Sequence, residues 1–206
     1  GGSFTSSGSQ WVNSRCLGSN PCIIRDYTAS WASGNEGKPI ISAATHGFNL
    51  ENTNNATHEE GYTFMNFDLR GDNSGRSDFG FFLFNDIDDV IIDNVSITGF
   101  GTGVHVAGYN GLTPRPGSDG RNDRTTLRNS RIVGNIGFGW LGGGDGDLVE
   151  NNYFEDNGVD SVFDHNIYYS GYRPTIGSVI RGNELYRAVV RSAANPGSCD
   201  AVSFVS

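Results

Sequence analysis

Five times along this chain a six-residue phrase returns: apolar, any, Asn or Gly, any, any, apolar. It reads Phe64-Met65-Asn66-Phe67-Asp68-Leu69, then Ile92-Asp93-Asn94-Val95-Ser96-Ile97. It returns as Leu127-Arg128-Asn129-Ser130-Arg131-Ile132, as Val149-Glu150-Asn151-Asn152-Tyr153-Phe154, and as Ile180-Arg181-Gly182-Asn183-Glu184-Leu185. The third position falls at 66, 94, 129, 151 and 182, so the steps are 28, 35, 22 and 31 residues. A unit this short cannot bury its apolar face alone, but stacked copies share one continuous core. The shortest step suits a bare coil of a β-solenoid, and the longer ones imply loops.

A second apolar run follows each phrase: Gly80 to Phe84, Gly103 to Val106, Gly137 to Trp140, Asn166 to Tyr169 and Ala188 to Arg191. Each is rich in β-branched and aromatic residues and too short for a typical helix. The pattern predicts an all-β, single-stranded, right-handed parallel β-helix. Strands of successive coils then pair in parallel at about 4.8 Å. Asn66, Asn94, Asn129 and Asn151 should form one column, with their amides bonded at inward turns. A β-sandwich is the alternative, but its hairpins give no reason for Asn to return at one phase. The 30 glycines fit a chain of many tight turns, because Gly tolerates left-handed backbone.

Residues 61–206 are expected to form the continuous coils. Residues 1–60 read as a less regular lead-in or cap with the first coils, carrying Trp11, Ile23-Ile24, Trp31 and Ile40-Ile41. The last strand, Ala201 to Val205, has no visible polar cap. Solenoid ends need capping, so self-association through this end or a longer natural chain is expected. With Gly1 in place of Met, a processed or partial chain is expected.

The net charge is −9, and Lys38 is the single lysine beside 13 arginines. Without a basic run, phosphate-driven binding of nucleic acid is not expected. No apolar run is long enough for a membrane span. Cys16 and Cys22 are close enough in sequence to close a small disulfide loop, leaving Cys199; three reduced thiols are the alternative. Asn55-Ala56-Thr57 and Asn94-Val95-Ser96 match the glycosylation pattern, which also arises by chance in Asn-rich chains.

The stretches VIIDNVSITGFGTGVHV and TTLRNSRIVGNIGFGW resemble the pectate-lyase-like superfamily of right-handed β-helices. Asp164 to Gly171, followed by GSVIRGNELYRAVVRSA, resembles a block of its secreted bacterial members. The resemblance covers roughly residues 60–194. It implies an extracellular or cell-surface protein acting on carbohydrate. Members include lyases and hydrolases of acidic polysaccharides, uronate epimerases, tailspikes and adhesins, and fold alone does not choose among them. The expectation is therefore cleavage of an acidic polysaccharide, of lyase type. The competing reading is a non-catalytic glycan-binding, adhesin-like or fibre-forming solenoid.

Elimination at a uronate needs a base, an acid at the leaving oxygen, and positive charge on the carboxylate. His165 as base, Tyr168 as acid and Asp164 orienting the imidazole form the candidate catalytic set. Epimerases of this fold carry Asp-Pro-His, whereas Asp164 here is followed directly by His165. Arg173, Arg187 and Arg191 are candidate substrate-binding cations near the second strands, with solvated arginines as the alternative. Asp145, Asp147 and Glu150 are a candidate Ca²⁺ set, since that ion takes about six to eight oxygens; solvated surface charge is the alternative, as it is for Asp86, Asp88 and Asp89. Strict alternation along the second strands would turn Val104, Val106, Phe138, Trp140, Ile167 and Tyr169 inward. His105, Gly139 and Tyr168 would then share one outward column, with Gly139 as a notch between two substrate-binding side chains.

Overall fold

A computed structural model describes residues 3–6, 16–34, 36–51, 59–107, 119–159, 164–171, 174–187 and 202–205. Strand β1 (Ser3–Ser6) precedes a succession of three-stranded coils. The first coil is β2 (Cys22–Arg25), β3 (Ile40–Ala43) and β4 (Phe48–Glu51). The second is β5 (Glu59–Met65), β6 (Asp68–Arg70) and β7 (Phe79–Phe84). The third is β8 (Ile87–Asp93), β9 (Ser96–Thr98) and β10 (Thr102–Val106), and the fourth is β11 (Thr126–Arg128), β12 (Arg131–Val133) and β13 (Phe138–Gly142). The fifth is β14 (Leu148–Glu150), β15 (Tyr153–Glu155) and β16 (His165–Ser170). The sixth is β17 (Val179–Arg181), β18 (Glu184–Tyr186) and β19 (Val202–Val205).

Equivalent strands stack into three sheets. The first runs β2-β5-β8-β11-β14-β17, the second β1-β3-β6-β9-β12-β15-β18, and the third β4-β7-β10-β13-β16-β19. Every pairing within them is parallel. There is no helix among the described residues. This is the parallel β-helix expected from the repeat, and it excludes the sandwich. The first coil lies within residues 1–60, so that segment already supplies ladder partners to β5, β6 and β7. Ala188 to Arg191 lies outside the described residues, and the strand paired with β16 is β19.

The two apolar positions of each phrase become two core columns. Phe64, Ile92, Leu127 and Val149 line the first sheet, and Leu69, Ile97, Ile132 and Phe154 the second, all fully buried. Phe81, Val104, Trp140 and Ile167 fill the same interior from the third sheet. Truncating Phe64, Phe81, Trp140 or Phe154 to Ala costs about 3–5 kcal/mol.

Between the first and second sheets of the second to sixth coils the chain turns on one left-handed residue. Asn66, Asn94, Asn129, Asn151 and Gly182 have φ of 64°, 54°, 52°, 55° and 64°. Asn tolerates this conformation because its short amide bonds locally. The backbone N–H of Asn66, Asn94, Asn129 and Asn151 donates to Asp93, Arg128, Glu150 and Arg181 of the next coil, so the four form the expected column.

The column is not inward, which corrects that expectation: Asn94, Asn129 and Asn151 are exposed. The buried amide ladder belongs to the residue that follows. Asn152 Oδ1 accepts from Ser130 N, and Asn183 Oδ1 accepts from both Asn152 N and Asn152 Nδ2. A second buried ladder, Asn135 to Asn157 to Asn166, closes the corner before the third sheet.

Cys16 and Cys22 are bonded, with Cα atoms 5.4 Å apart. Cys199 lies outside the described residues. No helix among the described residues is long and apolar enough to cross a membrane.

Candidate functional site on the third sheet

A glycine ladder shapes the outward face of the third sheet. Gly47, Gly80, Gly103 and Gly139 stack at the start of its strands. A Cβ on Gly80, Gly103 or Gly139 would sit 2.5–2.7 Å from the next coil's carbonyl oxygen, at Gly103, Gly139 and Asn166 in turn. Only a residue without a side chain fits there. The ladder residue and its successor both turn inward, giving β7 and β16 one shared burial pattern. Strict alternation therefore fails, and the outward residues of each strand are three apart.

Two outward columns result. One is Phe79, Thr102, Phe138 and His165, in which Thr102 is buried, and the other is Phe82, His105, Leu141 and Tyr168. This corrects the expected register. Leu141, not Gly139, lies between His105 and Tyr168. Gly139 is buried, and Phe138 stands half-buried on the outer face against His165 and Tyr168. Val104, Val106, Trp140, Ile167 and Tyr169 do point inward.

The face is aromatic over several coils. His46 packs 4.9 Å from Phe79 and 5.8 Å from Phe82, ring centre to ring centre. Phe82 stacks on Phe79 at 4.8 Å and on Phe84 at 5.4 Å. His105 lies 4.9 Å from Phe79 and 5.4 Å from Phe82. Farther along, Tyr168 meets His165 edge-on at 5.4 Å and Phe138 at 5.8 Å. These side chains are half-buried, so each leaves part of its ring on the surface.

The two imidazoles of the upper part are held neutral. Burial among the rings pushes His105 down to about 4, and its Nδ1 is shut from solvent without a hydrogen-bond partner. Burial also lowers His46, opposed by Asp78 and Glu51, and His46 Nδ1 accepts a hydrogen bond from Phe79 N at 3.3 Å. Around neutral pH these rings behave as aromatic surface with one polar edge.

Of the candidate catalytic set, the structure brings His165 and Tyr168 together on this face. Asp164 points the other way. Its carboxylate is buried and accepts bidentate hydrogen bonds from Arg76 Nη1 and Nη2 at 2.9 and 2.8 Å. That pair joins the loop after β6 to the start of β16, fixing the strand that carries His165 and Tyr168.

The expected Ca²⁺ residues each accept hydrogen bonds from different partners. Asp145 accepts from Arg121 and from Ile176 N. Asp147 is buried and accepts from Thr125 N, Gly144 N and Tyr169 Oη, and burial raises it to about 6. Glu150 accepts from Arg181. Among the described residues no three His, Cys, Asp or Glu side chains sit where they could hold a metal ion. Arg187 pairs with Glu155 and Asp156, away from the aromatic face; Arg173 and Arg191 lie outside the described residues.

Sequence reasoning missed Phe79, Phe82, Phe84, Leu141 and His46 as face residues. The available signal was Gly at 47, 80, 103 and 139, each directly before an apolar residue that turns inward. Comparison with protein-family models, with curated proteins and with solved structures finds no match.

Proposed function

We propose that this chain is a secreted, pectate-lyase-like β-helix that binds polysaccharide along the outward face of its third sheet. The observation that carries the reading is an aromatic surface in two patches along one sheet, Phe79 and Phe82 with neutral His105, and farther along Phe138 with Tyr168. Ring faces of this kind stack on the C–H faces of sugars, and imidazole and phenol edges supply hydrogen bonds. Successive coils present rungs about 4.8 Å apart, so the surface suits an extended chain. The bonded Cys16–Cys22 pair supports an oxidising, extracellular setting. Binding of alginate, pectate and neutral glucans, measured by affinity electrophoresis and calorimetry, tests the reading. Phe82→Ala and Tyr168→Ala should each weaken the polymer that binds by roughly fivefold, as expected for one lost aromatic contact. Unchanged affinity in both variants refutes it.

A second reading, elimination at a uronate, is favoured by His165 and Tyr168 standing edge-on at 5.4 Å on that face. His165 would take the proton and Tyr168 would protonate the leaving oxygen. Growth of unsaturated-end absorbance during incubation with alginate or pectate, lost in His165→Ala, supports it. No absorbance growth with a bound polymer leaves the chain a binding module.

A further inference from the structure

At the first coil the corner between the first and second sheets departs from the rest of the solenoid. Every later coil turns there on one left-handed residue. Between β2 and β3 the chain instead makes the excursion 26–39, which stands beside the column of exposed corner amides. The result is a cleft of about 1040 Å³ lined by Arg25, Tyr27, Trp31, Lys38, Asn66 and Asn94. A shallower groove of about 560 Å³ continues from Lys38 and Asn94 along the corner toward Asn129 and Tyr153.

Two observations point to a ligand of definite chemistry. First, Tyr27 and Trp31 line this cleft and, at 86% each, are the most exposed large apolar side chains among the described residues. The excursion is held by its own bonds rather than by those rings. Glu36 accepts from Ser33 N, Ser33 Oγ and Gly34 N, and Ala32 N donates to Ala29 O. Second, each described arginine is ion-paired with a carboxylate, but Lys38 is not. Lys38 Nζ donates only to Asn94 O and Asn94 Oδ1, both at 2.8 Å. An ammonium has three donors, so one remains for a ligand. The cleft's own acids are already engaged, Asp26 by Arg25 and Asn66, and Glu36 by the loop. A lysine ammonium with a donor left over and no carboxylate partner can form a charge-assisted hydrogen bond to an anionic group of a ligand.

We propose that this cleft is a second carbohydrate site, distinct from the third-sheet face, that takes a carboxylate-bearing sugar. Trp31 stacks on the ring, and Lys38 pairs with the carboxylate through its remaining donor. The adjoining groove lets a longer oligomer continue along the axis.

The test titrates the full chain with trigalacturonate and with cellotriose as the neutral counterpart, followed by tryptophan fluorescence and calorimetry. Of the other two tryptophans, Trp140 is fully buried and Trp11 lies outside the described residues, so the signal is assigned to this cleft by its disappearance in Trp31→Ala. Expected are a saturable change with the acidic trimer, a loss of about tenfold or more in affinity in Trp31→Ala, and weakening by salt. Lys38→Gln should abolish the preference for the acidic over the neutral trimer, and Lys38→Arg should keep it. The Trp31-dependent fluorescence change should persist in Phe82→Ala and Tyr168→Ala whatever those variants do to the calorimetric heat of the third-sheet face, which separates the two sites. Three results would overturn the proposal: no Trp31-dependent fluorescence change, an acidic preference of that change that survives Lys38→Gln, or a fluorescence change that falls with Phe82→Ala but not with Trp31→Ala.

Discussion

The outward columns of the first and third sheets occupy the same kind of ladder with opposite chemistry. On the first sheet the register runs Asp93, Arg128, Glu150, Arg181, alternating in sign from coil to coil. Arg128 bonds to Asp93 at 2.9 Å and Arg181 to Glu150 at 2.7 Å. On the third sheet the register runs Phe82, His105, Leu141, Tyr168. Backbone and spacing are alike, so the solenoid does not dictate what its surface carries. The ion-paired column satisfies itself, each charge meeting its complement one coil away. The aromatic column leaves ring faces that nothing in the chain's polar chemistry satisfies, and that is why the functional reading rests on the third sheet.

The largest test of this contrast is Gly139→Ala. Its Cβ would meet Asn166 O at 2.5 Å and Phe154 Cδ1 at 2.7 Å, so the third sheet must shift. Destabilisation of about 3 kcal/mol is expected in urea unfolding. Gly134→Ala meets only Thr98 Oγ1 at 3.6 Å, although its φ is +66°; it should cost about 1 kcal/mol. Equal costs would remove the claim that the ladder shapes the face.

Asp164→Ala comes next. It strips the two hydrogen bonds that tie the loop after β6 to β16, at a cost of about 2 kcal/mol. Arg76 is half exposed and can be hydrated once released, which keeps the cost below that of the glycine change. Binding at the third-sheet face should weaken as well. In the comparison, an ion pair with one buried partner outweighs the exposed rungs of the first sheet.

Acid should separate the two faces by sign. His105 on the aromatic face is lowered to about 4, so its contribution is present above its ordinary value of 6.5 and is lost as pH falls toward 4. Asp88, beside the ion-paired Arg124, is raised to about 6 by burial, more than its hydrogen bond from Asp123 N and the Arg124 charge offset. Its contribution is present below 3.8 and lost as pH rises through about 6. Between about pH 7 and about pH 5, His105→Phe should therefore improve the relative Tm on the acid side by roughly 2–4 °C, and Asp88→Asn should worsen it by a similar amount. Thermal melts at the two pH values check both signs.

The smallest effect belongs to the charged column. A double-mutant cycle on Asp93 and Arg128 should give a coupling of about 0.5 kcal/mol that shrinks in high salt. A coupling several times larger would make the first sheet's outer face a structural element and blur its contrast with the third.

The recurrence of Asn at one phase was enough to determine the coils, because a left-handed corner accepts few residue types and the apolar positions flanking it must both face one core. Asn66, Asn94, Asn129 and Asn151 therefore announced their column, and the core residues around them were legible with it. The direction of those amides was not, since residue identity marks a conformation but not whether the turn's side chain faces in or out. The third-sheet face was legible only at His105, His165 and Tyr168. Gly80, Gly103 and Gly139 are held 2.5–2.7 Å, by a Cβ's measure, from the backbone of the next coil, and that contact exists only after stacking. It turns two successive residues inward, breaks alternation, and brings Phe79, Phe82 and Phe138 outward beside the histidines. The Asp164 carboxylate likewise met Arg76, 88 positions away in sequence, and Lys38 met Asn94 across 56. Local sequence sets the period of a solenoid, whereas contacts between coils depend on loop lengths and register, and those are decided only when the coils stack.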